Sequence, residues 1–197
     1  MSKPDPESPN RERNKTIRWV VTIFLVTIFV SGTISFVSDE IMERSSMFVA
    51  FLILFTIVCM GVVADTIGLA VTSADEKPFH SMAARKVPGS VESIRLLRNA
   101  ERVSSICNDV IGDICGVVSG SASATIAAQI LASFEFSWPD VVSLVMSGLV
   151  AGLTVGGKAM GKTLALNSST EIVAAVGKVI YTVSHIGDIF KRKNKNS

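Results

Sequence analysis

Four stretches of the chain run without a charged side chain for longer than most soluble helices allow. Trp19 to Val37 is the first. Met47 to Ala64 is the second and continues, past the single Asp65, to Ala74; Ile114 to Phe134 and Val141 to Gly157 are the third and fourth. About 20 apolar residues in a helix cross the hydrocarbon layer of a bilayer. The pattern therefore predicts an all-α polytopic membrane bundle with transmembrane helices near residues 19–37, 47–74, 106–134 and 140–160. The first stretch is too long for a signal peptide and lacks a small-residue cleavage site.

The intervening segments read differently. Residues 1–16, Pro-rich and charged, are expected to form a disordered tail. The loop after the second span, "DEKPFHSMAARKVPGSVESIRLLRNAERV", predicts two short amphipathic helices broken at Pro88-Gly89, lying along the cytoplasmic membrane face. Residues 167–190 open with Ser168 three before Glu171, a capping-box spacing. They then place Ile172, Val176, Val179, Val183, Ile186 and Phe190 at alternating steps of four and three. That is an amphipathic helix, either packed on the bundle or lying as a belt among headgroups; the periodicity fits both. Residues 191–197 form a basic tail.

Composition agrees: 48% of the 197 residues are hydrophobic. The net charge of +2 hides an asymmetry. Lys3, Arg11, Arg13, Lys15 and Arg18 precede the first span, Lys77, Arg85, Lys86, Arg95, Arg98 and Arg102 follow the second, and "KRKNKNS" ends the chain, whereas "SDEIMERSS" and "EFSWPD" lean acidic. Lys- and Arg-rich short loops stay inside, so both termini are expected in the cytoplasm of a multi-pass cell-membrane protein. These basic segments fit topology and anionic lipid rather than nucleic acid, for which no aromatic-interleaved patch is present. Cys59, Cys107 and Cys115 show no metal or redox spacing and are expected to pack as small apolar residues, while His80 and His185 read as surface groups.

Two glycine ladders follow. Gly112, Gly116 and Gly120 continue as Ala124, Ala128 and Ala132; Gly148, Gly152 and Gly156 repeat the spacing. Such stripes let helices approach in lipid and are expected to pack tightly, including across a homodimer. "GGKAMGKT", Gly156 to Thr163, also satisfies the phosphate-loop pattern G-x-x-x-x-G-K-[ST]. It lacks the preceding strand that makes the pattern chemical, so neither ATP nor any other cofactor is expected, and no enzymatic activity.

Ionisable groups inside spans are costly and need a partner or a purpose. Asp65, Asp109, Asp113 and Lys158 all fall in the cytoplasmic half of the spans or at its edge, where they could meet. With Asn108 and the hydroxyl of Ser73, the carboxylates suit a hard divalent cation such as Mg2+, which takes oxygen ligands. The competing reading is an internal ion pair of Asp65 with Lys158, with Asp109 and Asp113 meeting headgroup water.

The order "ADTIGLAVTSADEKPFHSMAARK", "AERVSSICNDVIGDICG", "VGGKAMGKTLAL" resembles the transmembrane domain of the CorB/CorC and cyclin M family of magnesium transporters, over roughly Phe48 to Phe190, with residues 19–37 as an added span. The resemblance implies Mg2+ transport, Co2+ second, by alternating access without covalent chemistry. It implies an ion path surrounded by Asp65, Asn108 and Ser73, with Asp109 and Asp113 as further candidates. In this alignment Asp65 takes the place of the family's metal-contacting Ser, and Asn108 keeps the Asn. Lys158 replaces an acidic Glu, Gly161 replaces a helix-distorting Pro, and Lys162 keeps the Lys. A cation thus stands where the family has a carboxylate, and the paired CBS domains are expected to be missing. The alternative expectation is a non-transporting relative, a membrane scaffold or partner subunit of a full-length transporter, with Lys158 in place of the ion.

Overall fold

A computed structural model describes residues 9–134 and 138–193, and every regular element among them is helical. The elements are α1 (Pro9–Glu43), α2 (Met47–Ser73), α3 (Lys77–Ala84), α4 (Ser90–Arg98), α5 (Ala100–Ser105), a π-helical segment (Ile106–Gly112), α6 (Asp113–Ser133), α7 (Pro139–Asn167) and α8 (Ser169–Lys193). Four stretches are long and apolar enough to span a membrane: Ile17–Met42, Met47–Ser73, Ala100–Ser133 and Pro139–Asn167. The all-α bundle and its four spans follow from the hydrophobic pattern. Two boundaries differ from expectation. Helix α1 begins at Pro9, so residues 9–16 continue the first helix rather than forming a loose tail; residues 1–8 lie outside the described residues. The third span starts at Ala100, because α5, the π segment and α6 run on without a break.

α2 is the hub. It carries one charged residue in 27, ends where Ala74 turns extended with its N–H still bonded to Ala70 O at 3.0 Å, and packs on α5, the π segment, α6, α7 and α8. Pro139 opens α7, where a missing N–H costs nothing. One apolar cluster, including Met42, Leu54, Ile126 and Met146, lies toward the α1–α2 turn; another, including Val71, Phe79, Ala165 and Val173, lies toward α3 and α4. α1 is peripheral. Its fixed end carries Asp39, whose carboxylate accepts hydrogen bonds from Ser121 Oγ (3.1 Å) and Thr125 Oγ1 (3.2 Å), while Gln129 Nε2 donates to Met42 O at 2.8 Å. Phe24, Phe29 and Phe36 point outward, a face suited to lipid.

The two loop helices form as expected on either side of Pro88-Gly89. α8 packs on the bundle. Val173 and Gly177 dock it on α4: Ser93 Oγ donates to Val173 O at 3.1 Å, and Gly89, at φ 88°, brings the two backbones together so closely that a Cβ there would lie 2.5 Å from Lys178 N. Val179 and Val183 of the expected apolar stripe remain 61% and 64% exposed, available to a membrane surface. Ile186 and Phe190 have side chains outside those described.

The glycine ladders need correction within the chain. A Cβ at Gly116, Gly120, Gly148, Gly152 or Gly156 would meet nothing, whereas Gly61, Gly68, Gly112, Gly157, Gly161 and Gly177 sit against neighbours. On α7 the packed rungs are Gly157 and Gly161, one residue around the helix from the ladder read in the sequence.

Candidate functional site

α2 runs antiparallel to the α5–α6 span and parallel to α7, and glycines on all three let them close around Asp65. Gly61 lies against Cys115 (2.9 Å to a Cβ built on the glycine), Asp65 Oδ1 occupies the space a side chain at Gly112 would need, and Asn108 Oδ1 does the same at Gly68. On the other flank Gly157 receives Val62 (2.8 Å) and Gly161 receives Thr66 Oγ1. Each missing Cβ thus seats a side-chain atom of the neighbouring helix, and three of those atoms are oxygens.

Lys158 of α7 reaches Asp65 of α2, Nζ to Oδ2, at 2.9 Å, with side chains 29% and 17% exposed. Beside this pair lies the π-helical segment. Its wider turns displace side chains from α-helical register, a distortion that recurs at functional sites. It carries Asn108, whose Nδ2 donates to Ser104 Oγ at 3.2 Å and whose Oδ1 is buried and accepts no hydrogen bond among the described residues. A buried amide oxygen without a donor is uncommon and calls for an explanation, an ion among them.

The remaining expected ligands are not gathered here. Ser73 is exposed and its Oγ donates to Leu69 O at 2.8 Å. Asp109 is exposed and accepts from Ser105 Oγ at 2.8 Å; Asp113 is exposed one turn further on. Among the described residues, no three His, Cys, Asp or Glu side chains come together as metal ligands. The expected cluster therefore divides into Asp65, Asn108 and Lys158 in the bundle, with Asp109 below them. Asp109 lines a cavity of about 510 Å³ with Thr72, Glu101, Ser104 and Ser105. Ser104 links the two, since it both lines the cavity and holds Asn108.

Sequence reasoning missed Glu101, Ser104 and Gly68, and read Gly112 as a packing glycine without its oxygen. One signal was available: Gly61, Asp65, Gly68 and Thr72 recur at steps of four, three and four, placing small and polar residues along one face of α2. The phosphate-loop pattern at Gly156 to Thr163 is continuous helix inside α7, so its N–H groups are not arranged as a cradle. Outside the spans, Glu76 accepts from Arg98 Nε at 2.9 Å and lies 3.1 Å from His80 Nε2; the Arg98 hydrogen bond holds its carboxyl below the usual 4.5.

Comparison of the chain with protein-family models, with curated proteins and with solved structures finds no match.

Proposed function

We propose that this is an integral membrane divalent-cation transporter of the CorB/CorC and cyclin M type, with Mg2+ as first and Co2+ as second cargo. The carrying observation is the buried, undonated Asn108 Oδ1 in a π-helical segment beside the Asp65 carboxylate. Carboxylate and amide carbonyl oxygens are the ligands a hard divalent cation takes, with water filling the rest of its shell. In the conformation described, the Lys158 ammonium sits on Asp65 and holds the position of a cation. Transport then requires Lys158 to swing away as the ion enters from the Asp109 cavity, and the cycle involves movement without a covalent step. The Lys and Arg distribution supports placing both termini and helices α3 and α4 in the cytoplasm of a cell-membrane protein. The unfilled rungs Gly148, Gly152 and Gly156 support a homodimer.

A second reading has a specific observation in its favour. The 2.9 Å contact of Lys158 with Asp65 is that of a permanent internal counter-ion, which suits a scaffold or partner subunit of a full-length transporter. Mg2+ flux into proteoliposomes loaded with a Mg2+-sensitive dye separates the two. Under the transport reading, wild type carries flux that Asp65→Ala abolishes. Absence of flux in wild type, with flux appearing in Lys158→Glu, refutes it in favour of the scaffold reading; absence in every variant refutes the inherited site altogether.

A further inference from the structure

One polar space in the bundle is unused by this site. Between α6 and α7 a groove of about 200 Å³ is lined by Gly116, Ser119, Gly120, Ser123, Ser147 and Thr154, with Val150, Ala151 and Val155 completing its walls. Four hydroxyls in so small a space set it apart from the aromatic and aliphatic outer face of α1. Ser119 and Thr154 donate to carbonyls of their own helices, Gly116 O at 2.9 Å and Val150 O at 2.8 Å, which leaves their oxygens as acceptors. Ser123 is 1% exposed and its Oγ has no hydrogen-bond partner. Hydrocarbon offers such a group nothing, and polar groups at membrane depth are satisfied where they line a water-filled space. A groove of this volume holds several waters; the Ser147 and Thr154 hydroxyls are open to them, while Ser119 and Ser123, 2% and 1% exposed, form its floor.

Its place in the bundle gives the groove a role. Gly116 is one helical turn from Gly112, which abuts Asp65, and Thr154 is one turn from Lys158. The inner end of the groove is thus about 6 Å along the helix axes from the ion pair. From there it extends toward the end of the bundle that carries the α1–α2 turn, opposite the Asp109 cavity. The pair stands between two polar spaces, one on either side of it along the helix axes.

We propose that the α6–α7 groove is a water-filled half-path along which a hydrated divalent cation passes between the α1–α2 end of the bundle and the Asp65–Lys158 pair. This rests on the transport reading and supplies the half of the route that the Asp109 cavity does not.

The test uses the full chain in proteoliposomes. Ser123→Cys, Ser147→Cys and Leu149→Cys are treated with a membrane-impermeant, positively charged thiol reagent, each measured over the parent chain's three cysteines. Leu149, on α7 and 63% exposed, is the lipid-facing control. The expected result is reaction at Ser147→Cys and Ser123→Cys at least tenfold faster than at Leu149→Cys, slowed by millimolar Mg2+. Should Ser123→Cys fail to fold, Ser147→Cys with Thr154→Cys makes the same comparison. Rates no faster than at Leu149→Cys overturn the half-path, and so does a spontaneous disulfide between two copies at Ser147→Cys, which would mean a second chain covers the groove. Flux in wild type without labelling overturns the groove alone. Labelling with no flux in any variant overturns the transport reading, and the cation path with it.

Discussion

Replacing Asp65 by Asn leaves the Lys158 ammonium without its counter-ion, and replacing Lys158 by Met does the reverse to the carboxylate. A lone charge at the centre of a span costs about 2.5 to 3.5 kcal/mol on insertion scales. The pair here is partly reachable, with side chains 29% and 17% exposed, which places each loss toward the lower end, about 2 kcal/mol after allowing for solvent screening. Removing both charges is different, because ion pairs withdrawn from water gain little over apolar neighbours of similar size. The double variant Asp65→Asn/Lys158→Met should therefore return to within about 1 kcal/mol of wild type, a coupling of about 3 kcal/mol in the double-mutant cycle. Equilibrium unfolding in mixed detergent and SDS micelles, followed through Trp19 and Trp138, reads all four proteins. Losses that simply add, with coupling below about 0.5 kcal/mol, would refute the reasoning and mean that the 2.9 Å contact contributes nothing to holding α2 against α7.

The glycines make a paired prediction: Gly177→Ala puts a Cβ 2.5 Å from Gly89 O and 3.0 Å from Ser93 N, backbone atoms that cannot give way, and should cost about 1–3 kcal/mol in thermal unfolding. Gly152→Ala, with open space around it, should stabilise the protomer by up to about 1 kcal/mol through helix propensity, and weaken association of two copies if the ladder forms the dimer face; equal losses at both sites would contradict the packing described. Glu76, whose carboxyl is held down by Arg98, contributes stability that is fully present above its ordinary value of 4.5 and is lost as the pH falls through its lower folded value. Hydrogen exchange of α3 and α4 between pH 5 and 3 should show that loss in wild type and a flatter profile in Arg98→Ala.

The spans were legible because uncharged runs of this length have few other uses, and the loop helices because Pro88-Gly89 punctuates them. Of the tight glycines only Gly112 stood on an expected ladder. A step of four marks a stripe on a helix but not which neighbour it faces, so Gly148–Gly152–Gly156 and Gly157–Gly161 carry the same signal while only the second pair touches α2. Of the candidate site, the Asp65–Lys158 contact was legible in its charges, and Asn108 in its polarity, because lipid makes such groups expensive. Their grouping required knowing that α5 continues through a π-helical segment into α6, and nothing in "ICNDVIG" announces a widened turn. Asp109 and Asp113 were placed with Asp65 by sequence proximity to the membrane edge, yet both side chains are exposed. Asp39 escaped notice because it lay beyond the uncharged run, although Ser121 and Thr125 tie it to α6.

The hub position of α2 bears on how the chain is made. A ribosome delivers α2 to the membrane before any of α5, α6, α7 or α8 exists, and Lys158 emerges about 90 residues after Asp65. At about 5–20 residues per second, the carboxylate waits on the order of 5–20 s for its counter-ion. Throughout that interval the nascent helix must remain in or beside the insertion machinery carrying an uncompensated acid. That accounts for α2 being the most apolar of the four spans: its leucines, isoleucines, valines and phenylalanines have to win the partition into lipid alone. The pairing seen in the finished bundle is then a late event, completed only when α7 brings Lys158 to Asp65.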